Sequence, residues 1–324
     1  MSIEVLSPGA MTLIQDRGRF GMQELGFTTC GAADIKSMML ANALVGNYAG
    51  EAVIEFTLSG GLYRFHENCR IALTGADMQA TINGVLCNQN HAIEICKEDL
   101  LQLGFAKTGC RTYLAVAGGL EIEEVLGSKS TDRKCRIGGF SGRAFMTGDR
   151  ISFRSAEWAD NQISLTSLPR GITTKMNTTS DPYRIRVVMG PQEDYFSREG
   201  IDTFLNSPYT IGSDSNRMAC KLTGKSITSL KGTDILSDGI APGSIQVAGN
   251  GLPMIMLADR QTIGGYAKIA TVIAADMPIL GQCRPQDTIL FEKISLRKAV
   301  SIYKSEYRTM QRLFQKTGGG DYDG

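Results

Sequence analysis

The sequence predicts a mainly β fold of two barrel- or sandwich-like units with a few helices, and three observations carry that prediction. Its 324 residues exceed one average domain. It holds 37 glycines, the residue of tight turns. Short alternating stretches bounded by turn signals recur in both halves. In the first half Arg70-Ile71-Ala72-Leu73-Thr74 and Gln79-Ala80-Thr81-Ile82 alternate, and Asn83-Gly84 turns the chain into Val85. In the second, Arg184-Ile185-Arg186-Val187-Val188 and Ser244-Ile245-Gln246-Val247 alternate, and Gly249-Asn250-Gly251 leads into Met254-Ile255-Met256-Leu257. Each half closes on a similar phrase, Gly148-Asp149-Arg150-Ile151-Ser152-Phe153 and Gln286-Asp287-Thr288-Ile289-Leu290-Phe291, as two related β units would.

Between the halves, Ser155 to Pro182 is rich in Ser, Thr and Asn and reads as a surface connector. The expected organisation is an N-terminal β domain over 1–155, a connector over 156–182, a C-terminal barrel over 183–293, and a helix with a disordered tail over 294–324. Helices are few. Ala33 to Val45 places Ile35, Met38, Met39 and Leu44 at helical spacing, and Gly46-Asn47 is a stop. Pro191 can open a helix around Glu193 to Gly200. Leu296, Val300, Tyr303, Tyr307, Met310 and Phe314 form one face of a last helix, expected to dock on its own barrel. Gly318-Gly319-Gly320 and the residues after them are expected to be disordered.

Hydrophobic residues at 42% and charged residues at 21% exclude a disordered chain. Lys plus Arg number 34 against 33 for Asp plus Glu, and this balance argues against nucleic-acid and membrane-surface roles. No apolar run approaches the ~18 residues of a membrane span, and Met1-Ser2-Ile3-Glu4-Val5 lacks the basic start of an export signal. The eight cysteines form no C-x-x-C pair and read as reduced thiols, which with the missing signal suggests the cytoplasm. His66 and His91 are the only histidines, and neither has a zinc-type partner nearby, so no metal site is expected. No G-x-S-x-G elbow is present. Gly127-Ser128-Lys129-Ser130-Thr131 fails the Walker A pattern, with Ser128 and Glu123 where glycines are needed. Thr174-Lys175-Met176-Asn177 lacks the paired methionines of a biotin-attachment turn.

Chemistry therefore falls to three polar, glycine-rich clusters. In Gln15-Asp16-Arg17-Gly18-Arg19-Phe20-Gly21, two guanidiniums flank a glycine and suit a planar anion; an Arg–Asp pair pinning the loop fits equally well. Asp259-Arg260-Gln261-Thr262-Ile263-Gly264-Gly265-Tyr266 follows an apolar strand and crowds polar groups at one strand end. Gly118-Gly119 through Gly127-Ser128-Lys129-Ser130-Thr131-Asp132 adds a lysine and several hydroxyls. Together they offer Asp16 or Asp259 as a candidate base, with Arg17, Arg19, Lys129, Ser130, Arg260, Gln261, Thr262, Gly264, Gly265 and Tyr266 as candidate substrate contacts.

These segments resemble a known family. Ile14 to Arg19 with Gly21, Gly31-Ala32-Ala33-Asp34, Ala41 to Asn47, Tyr113 to Gly119, Leu126 to Thr131, Gly243 to Val247 and Asp259 to Tyr266 look like the biotin-dependent carboxyltransferase-type proteins, which include the C subunit of 5-oxoprolinase, allophanate hydrolase subunit 2 and KipA. The resemblance covers roughly Ile3 to Phe291. Two details depart: Lys129 stands where Arg is common, and two residues are inserted within Ser213–Met218, so no role is assigned to Arg217. The resemblance implies cyclophilin-like β-barrels. It also implies a subunit inactive alone, which opens 5-oxoproline to L-glutamate with ATP together with two further components, one KipI-like (B) and one LamB/YcsF-like (A). Alternatives within the same resemblance are the carboxyltransferase part of a biotin-dependent urea or amide carboxylase, and a non-catalytic KipA-like antagonist of a KipI-type kinase inhibitor.

Overall fold

The computed structural model describes residues 1–156, 173, 174, 176 and 181–317. Most of the expected connector, the Lys175 turn and the tail after Thr317 lie outside them. The chain divides into two compact units. Met1–Phe20, Cys30–Met176 and Tyr307–Gly324 form the first, and Gly21–Thr29 with Asn177–Glu306 the second.

The first unit has two sheets. One holds β1 (Ser2–Ser7), β4 (Ser59–Phe65), β6 (Thr81–Ile82), β7 (Val85–Leu86), β9 (Leu100–Phe105) and β11 (Arg150–Ser152), in the order β11-β1-β4-β9-β6-β7. The other runs β2-β3-β10-β5-β8, with β2 at Met11–Gln15, β3 at Val53–Thr57, β5 at Cys69–Asp77, β8 at Ala92–Ile95 and β10 at Thr108–Val116. Both sheets feed one core: Ile3, Val5, Phe65 and Leu101 come from the first, and Ile14, Phe56, Ile71 and Leu114 from the second. The barrel-like form expected here is thus realised as a pair of open sheets. Asn83 and Gly84, with φ of 51° and 82°, make the predicted turn between β6 and β7.

Strand β10 is buried on both faces. Leu114 and Val116 meet the inter-sheet core, while Tyr113 and Ala115 meet α1 (Ile35–Leu44). A largely apolar helix, buried from Ser37 to Leu44, belongs in such an interior, and Asp34 caps it by accepting from the Ser37 backbone N–H. The Tyr113 hydroxyl donates to Glu55 Oε2 at 2.9 Å and accepts from the Asp34 N–H at 2.7 Å, which fixes the chain entering α1. Burial first, then the carboxylates of Glu55 and Asp34, pushes this phenol well above its usual range.

The second unit is a closed barrel in the order β12-β19-β16-β17-β14-β13-β20. Its strands are β12 (Tyr183–Met189), β13 (Tyr209–Ile211), β14 (Ala219–Thr223), β16 (Ser244–Val247), β17 (Pro253–Met256), β19 (Lys268–Val272) and β20 (Thr288–Lys293). Ile185, Val187, Ile245, Val247, Ile255, Ile269, Ile289 and Phe291 fill it. The ring closes where β20 pairs with β12 in parallel and with β13 antiparallel. Outside the ring, β15 (Asp234–Gly239) and β18 (Ile263–Tyr266) make a two-stranded ribbon.

The helix expected over Glu193–Gly200 is displaced. Glu193–Tyr195 is a single tight turn, and α2 spans Arg198–Asn206, because Ser197 caps it by accepting from the Gly200 N–H. α3 is short, Met277–Gln282. The last helix, α4, spans Leu296–Thr317, but its apolar stripe divides. Met310, Leu313 and Phe314 join the α1 cluster of the first unit, whereas Leu296, Val300 and Tyr303 are exposed, so the stripe does not dock on the barrel as a whole. Five cysteines are buried and all are free thiols, yet Cys96 and Cys135 are exposed.

Candidate functional site

Directly after β2 the first unit opens a cleft of about 480 Å³, lined among others by Asp16, Arg17, Gly18, Tyr48, Glu51 and Lys129. Asp16 organises it. Its Oδ1 accepts from the Gly18 N–H (2.8 Å), Ser128 Oγ (2.8 Å) and Ser130 Oγ (2.5 Å), and its Oδ2 accepts from the Lys129 N–H (2.6 Å). Ser130 Oγ accepts in turn from the Asp16 N–H at 3.0 Å. The carboxylate is therefore a clamp between the strand end and the Gly127–Thr131 loop, and turning it toward a ligand would break four hydrogen bonds.

The clamp sets Lys129 at the cleft, where its Nζ donates to Glu51 Oε1 at 2.6 Å. The other Glu51 oxygen, Oε2, accepts from Arg154 at 2.5 Å. Gly119 is required beside this pair: its φ is +79°, and a Cβ there would lie 2.5 Å from Glu51 Cδ. Arg17 is half-buried and reaches the Tyr48 hydroxyl at 3.4 Å. Arg19 and Ser130, both expected as substrate contacts, are fully buried. Arg19 donates to the carbonyls of Val125 and Ser130, so it pins the loop from behind.

The second unit gathers the other expected residues. Asp259 is held by Arg217, Nε to Oδ2 at 2.9 Å and Nη2 to Oδ1 at 2.8 Å. This fork-to-fork pair engages both carboxylate oxygens, so Asp259 is placed as a partner for a buried guanidinium. Arg260 is also buried and donates to the Ile240 and Leu257 carbonyls. Gln261 and Thr262 precede β18, which carries Gly264, Gly265 and Tyr266. Gly264 lies against Gln246: a Cβ on it would come within 3.0 Å of Gln246 Nε2 and 2.6 Å of Ile240 Cδ1. Lys268 Nζ donates to Asp238 Oδ2 at 3.0 Å, and that hydrogen bond holds the Asp238 carboxyl below its usual range.

Asp16, Arg17, Lys129 and Ser130 thus form one cluster, and Asp259 to Tyr266 belong to another in the other unit. Sequence reasoning missed Tyr48, Glu51, Arg154, Gln246 and Lys268. Glu51 had one weak signal, an acid directly before an apolar strand. Among the described residues no group of three His, Cys, Asp or Glu could hold a metal, and no helix is long and apolar enough to cross a membrane.

Clustered polar side chains on a two-unit β framework match a recognised class of protein. Residues 25–293 correspond to the carboxyltransferase domain, subdomain A and B, and the chain belongs to that family. It is 34% identical over 311 residues to the 5-oxoprolinase C subunit of Escherichia coli (strain K12), covering 96% of this chain and 97% of the relative. The Haemophilus influenzae protein of the same name is 31% identical over 93% of this chain and 94% of its own length. Among solved structures, the K. lactis urea amidolyase superposes with a TM-score of 0.90 at 29% identity over 99% of this chain; the chain spans 20% of that protein.

Proposed function

We propose that the chain is the C subunit of an ATP-dependent 5-oxoprolinase, acting with the A and B subunits in the cytoplasm to hydrolyse 5-oxoproline to L-glutamate. The observation that carries this reading is the end-to-end match, 97% of the length of a protein of that name. In the first-unit cleft, Arg17 and Lys129 supply cations for the substrate carboxylate. Asp16 acts by positioning: it holds the loop that presents Lys129. Glu51 holds the lysine side chain.

ATP makes opening an unstrained lactam favourable in the assembled enzyme. The Gly127–Thr131 loop does not fit its phosphates. The Lys129, Ser130 and Thr131 N–H groups already donate to Asp16 Oδ2, Ser128 Oγ and the Ile14 carbonyl. No nucleotide step is therefore assigned to that loop. In this reading the isolated chain is inactive. Reconstituted with the A and B subunits, it forms glutamate from 5-oxoproline with ATP hydrolysis, and Lys129→Met raises KM for 5-oxoproline about tenfold or more. A reconstituted complex that forms no glutamate refutes the reading.

The superposition on urea amidolyase favours one second reading, a carboxyltransferase for urea or a related amide. There biotin supplies the carboxyl group, and Arg17 and Lys129 are the residues of this chain that would hold it. Carboxylation of urea dependent on a biotin carrier, without 5-oxoproline turnover, selects that alternative.

A further inference from the structure

Among the described residues, three carboxylates line the first-unit cleft, Asp16, Glu51 and Glu124, and all three belong to that one unit. Two of them are already engaged. Both Asp16 oxygens accept from the chain around them, so a proton arriving there would displace a donor. Glu51 accepts at Oε1 from Lys129 Nζ and the Ala52 N–H, and at Oε2 from Arg154. Asp259, the other base expected from the sequence, lies in the second unit and is held by Arg217. Glu124 differs. It is exposed, and its carboxylate takes part in no hydrogen bond or ion pair among the described residues.

The chain beside Glu124 is firmly held. Val125 and Ser128 exchange hydrogen bonds of 2.9 and 3.3 Å around Leu126 and Gly127, whose φ of 54° and 76° are those of a tight hairpin turn. Ser128 Oγ ties that turn to Asp16, and Arg19 Nε donates to the Val125 carbonyl at 3.0 Å. Glu124 therefore combines an anchored backbone with a free carboxylate, as a proton-transfer group requires. The cleft, at about 480 Å³, falls within the range of small-molecule sites. A ligand bound to Arg17 and Lys129 there shares one open space with Glu124.

We propose that Glu124 is the general base, and then the general acid, of lactam opening. One proton of a water passes to a Glu124 oxygen while the water oxygen bonds to the lactam carbonyl carbon. As the carbon–nitrogen bond breaks, its electron pair stays on nitrogen, which takes the proton back from Glu124. The carboxylate is regenerated, and ring and water have become an open amino acid. ATP in the assembled enzyme supplies the driving force. The inference rests on the 5-oxoprolinase reading for its substrate and adds the acid–base residue which that reading lacks.

The test uses the full chain reconstituted with the A and B subunits, with glutamate formation followed over a range of 5-oxoproline concentrations. We expect Glu124→Gln, which keeps the shape and removes the base, to lower kcat at least about a hundredfold and to change KM less than about threefold. Glu123→Gln, its neighbour in the chain, leaves both unchanged. Glu124→Ala is equally impaired, and added formate, a carboxylate small enough to enter the vacated space, restores at least about tenfold of the lost rate. A Glu124→Gln complex with kcat within about threefold of native, a raised KM at unchanged kcat, or a Glu124→Ala loss that formate does not restore overturns the proposal. Loss of turnover through failure to assemble assigns Glu124 to a subunit contact and overturns it as well. If Glu124→Gln fails to fold, formate rescue of Glu124→Ala decides. A native complex that forms no glutamate removes the 5-oxoprolinase reading and this role together, whereas native turnover that survives Glu124→Gln removes this role alone.

Discussion

Replacing Asp16 by alanine tests whether it is a clamp. Four donors converge on its carboxylate. Hydrogen bonds to a charged group contribute about 1.5–3 kcal/mol each, so a naive sum is roughly 6–12 kcal/mol. The four share one carboxylate, so their contributions are not additive. The cleft also lets water reach some of the orphaned donors. A loss of about 3 kcal/mol follows, or roughly 6–12 °C in the melting of a unit this size. Asp16→Asn keeps the shape and one acceptor oxygen and should cost about half as much. Urea and thermal unfolding read the stability, and glutamate formation by the reconstituted complex reads the chemistry. A general base contributes about 10²–10⁴-fold to rate, whereas a positioning residue replaced by its near-isostere should cost no more than about tenfold. An Asp16→Ala chain melting within about 1 °C of the native protein refutes the clamp. An Asp16→Asn complex that folds normally and loses more than about a hundredfold in turnover refutes the positioning role.

Asp259→Ala leaves the Arg217 guanidinium buried without its carboxylate and should cost about 3 kcal/mol; in a double-mutant cycle by urea unfolding, the Arg217 and Asp259 losses should sum to more than the double variant loses. Gly119→Ala forces a Cβ onto Glu51 from a left-handed backbone and should destabilise the first unit by about 1–3 kcal/mol, measured by its melting. Hydrogen bonds from Arg143 hold the Asp149 carboxyl below its usual range. This stabilisation is present above the unfolded value, near pH 4, and is lost as pH falls through the folded value. The gap in urea midpoint between native and Asp149→Asn chains should therefore shrink from pH 7 to pH 3, and a constant gap contradicts it. Burial pushes the Cys69 thiol up to about 12, so brief alkylation at pH 8 followed by peptide mapping should label exposed Cys96 and spare Cys69.

Local pattern made much of the framework legible. Ser244–Val247 is β16 residue for residue, Arg184–Val188 lies within β12 and Arg70–Thr74 within β5, because alternation is a property of consecutive side chains. The helix before Gly46-Asn47 was readable for the same reason. What escaped depends on distant segments. Asp16 next to two arginines suggests a local ion pair, yet its partners Ser128 and Ser130 are 112 and 114 residues away. Arg217 meets Asp259 across 42 residues, past an insertion that obscured its motif. Gln246 stood in a recognised strand, but only the ribbon folding over it turns an ordinary outward residue into a buried one.

The ring of the second unit is fastened by its final strand, since β20 is the neighbour of both β12 and β13. On the ribosome, the hydrogen-bonding rims of β12 and β13 thus wait through about a hundred and about eighty residues of synthesis, respectively, for their shared mate. A nascent or truncated chain ending before Thr288 would carry two naked rims open to pairing with other polypeptides. Such fragments should be insoluble or chaperone-bound, while a chain reaching Lys293 seals itself.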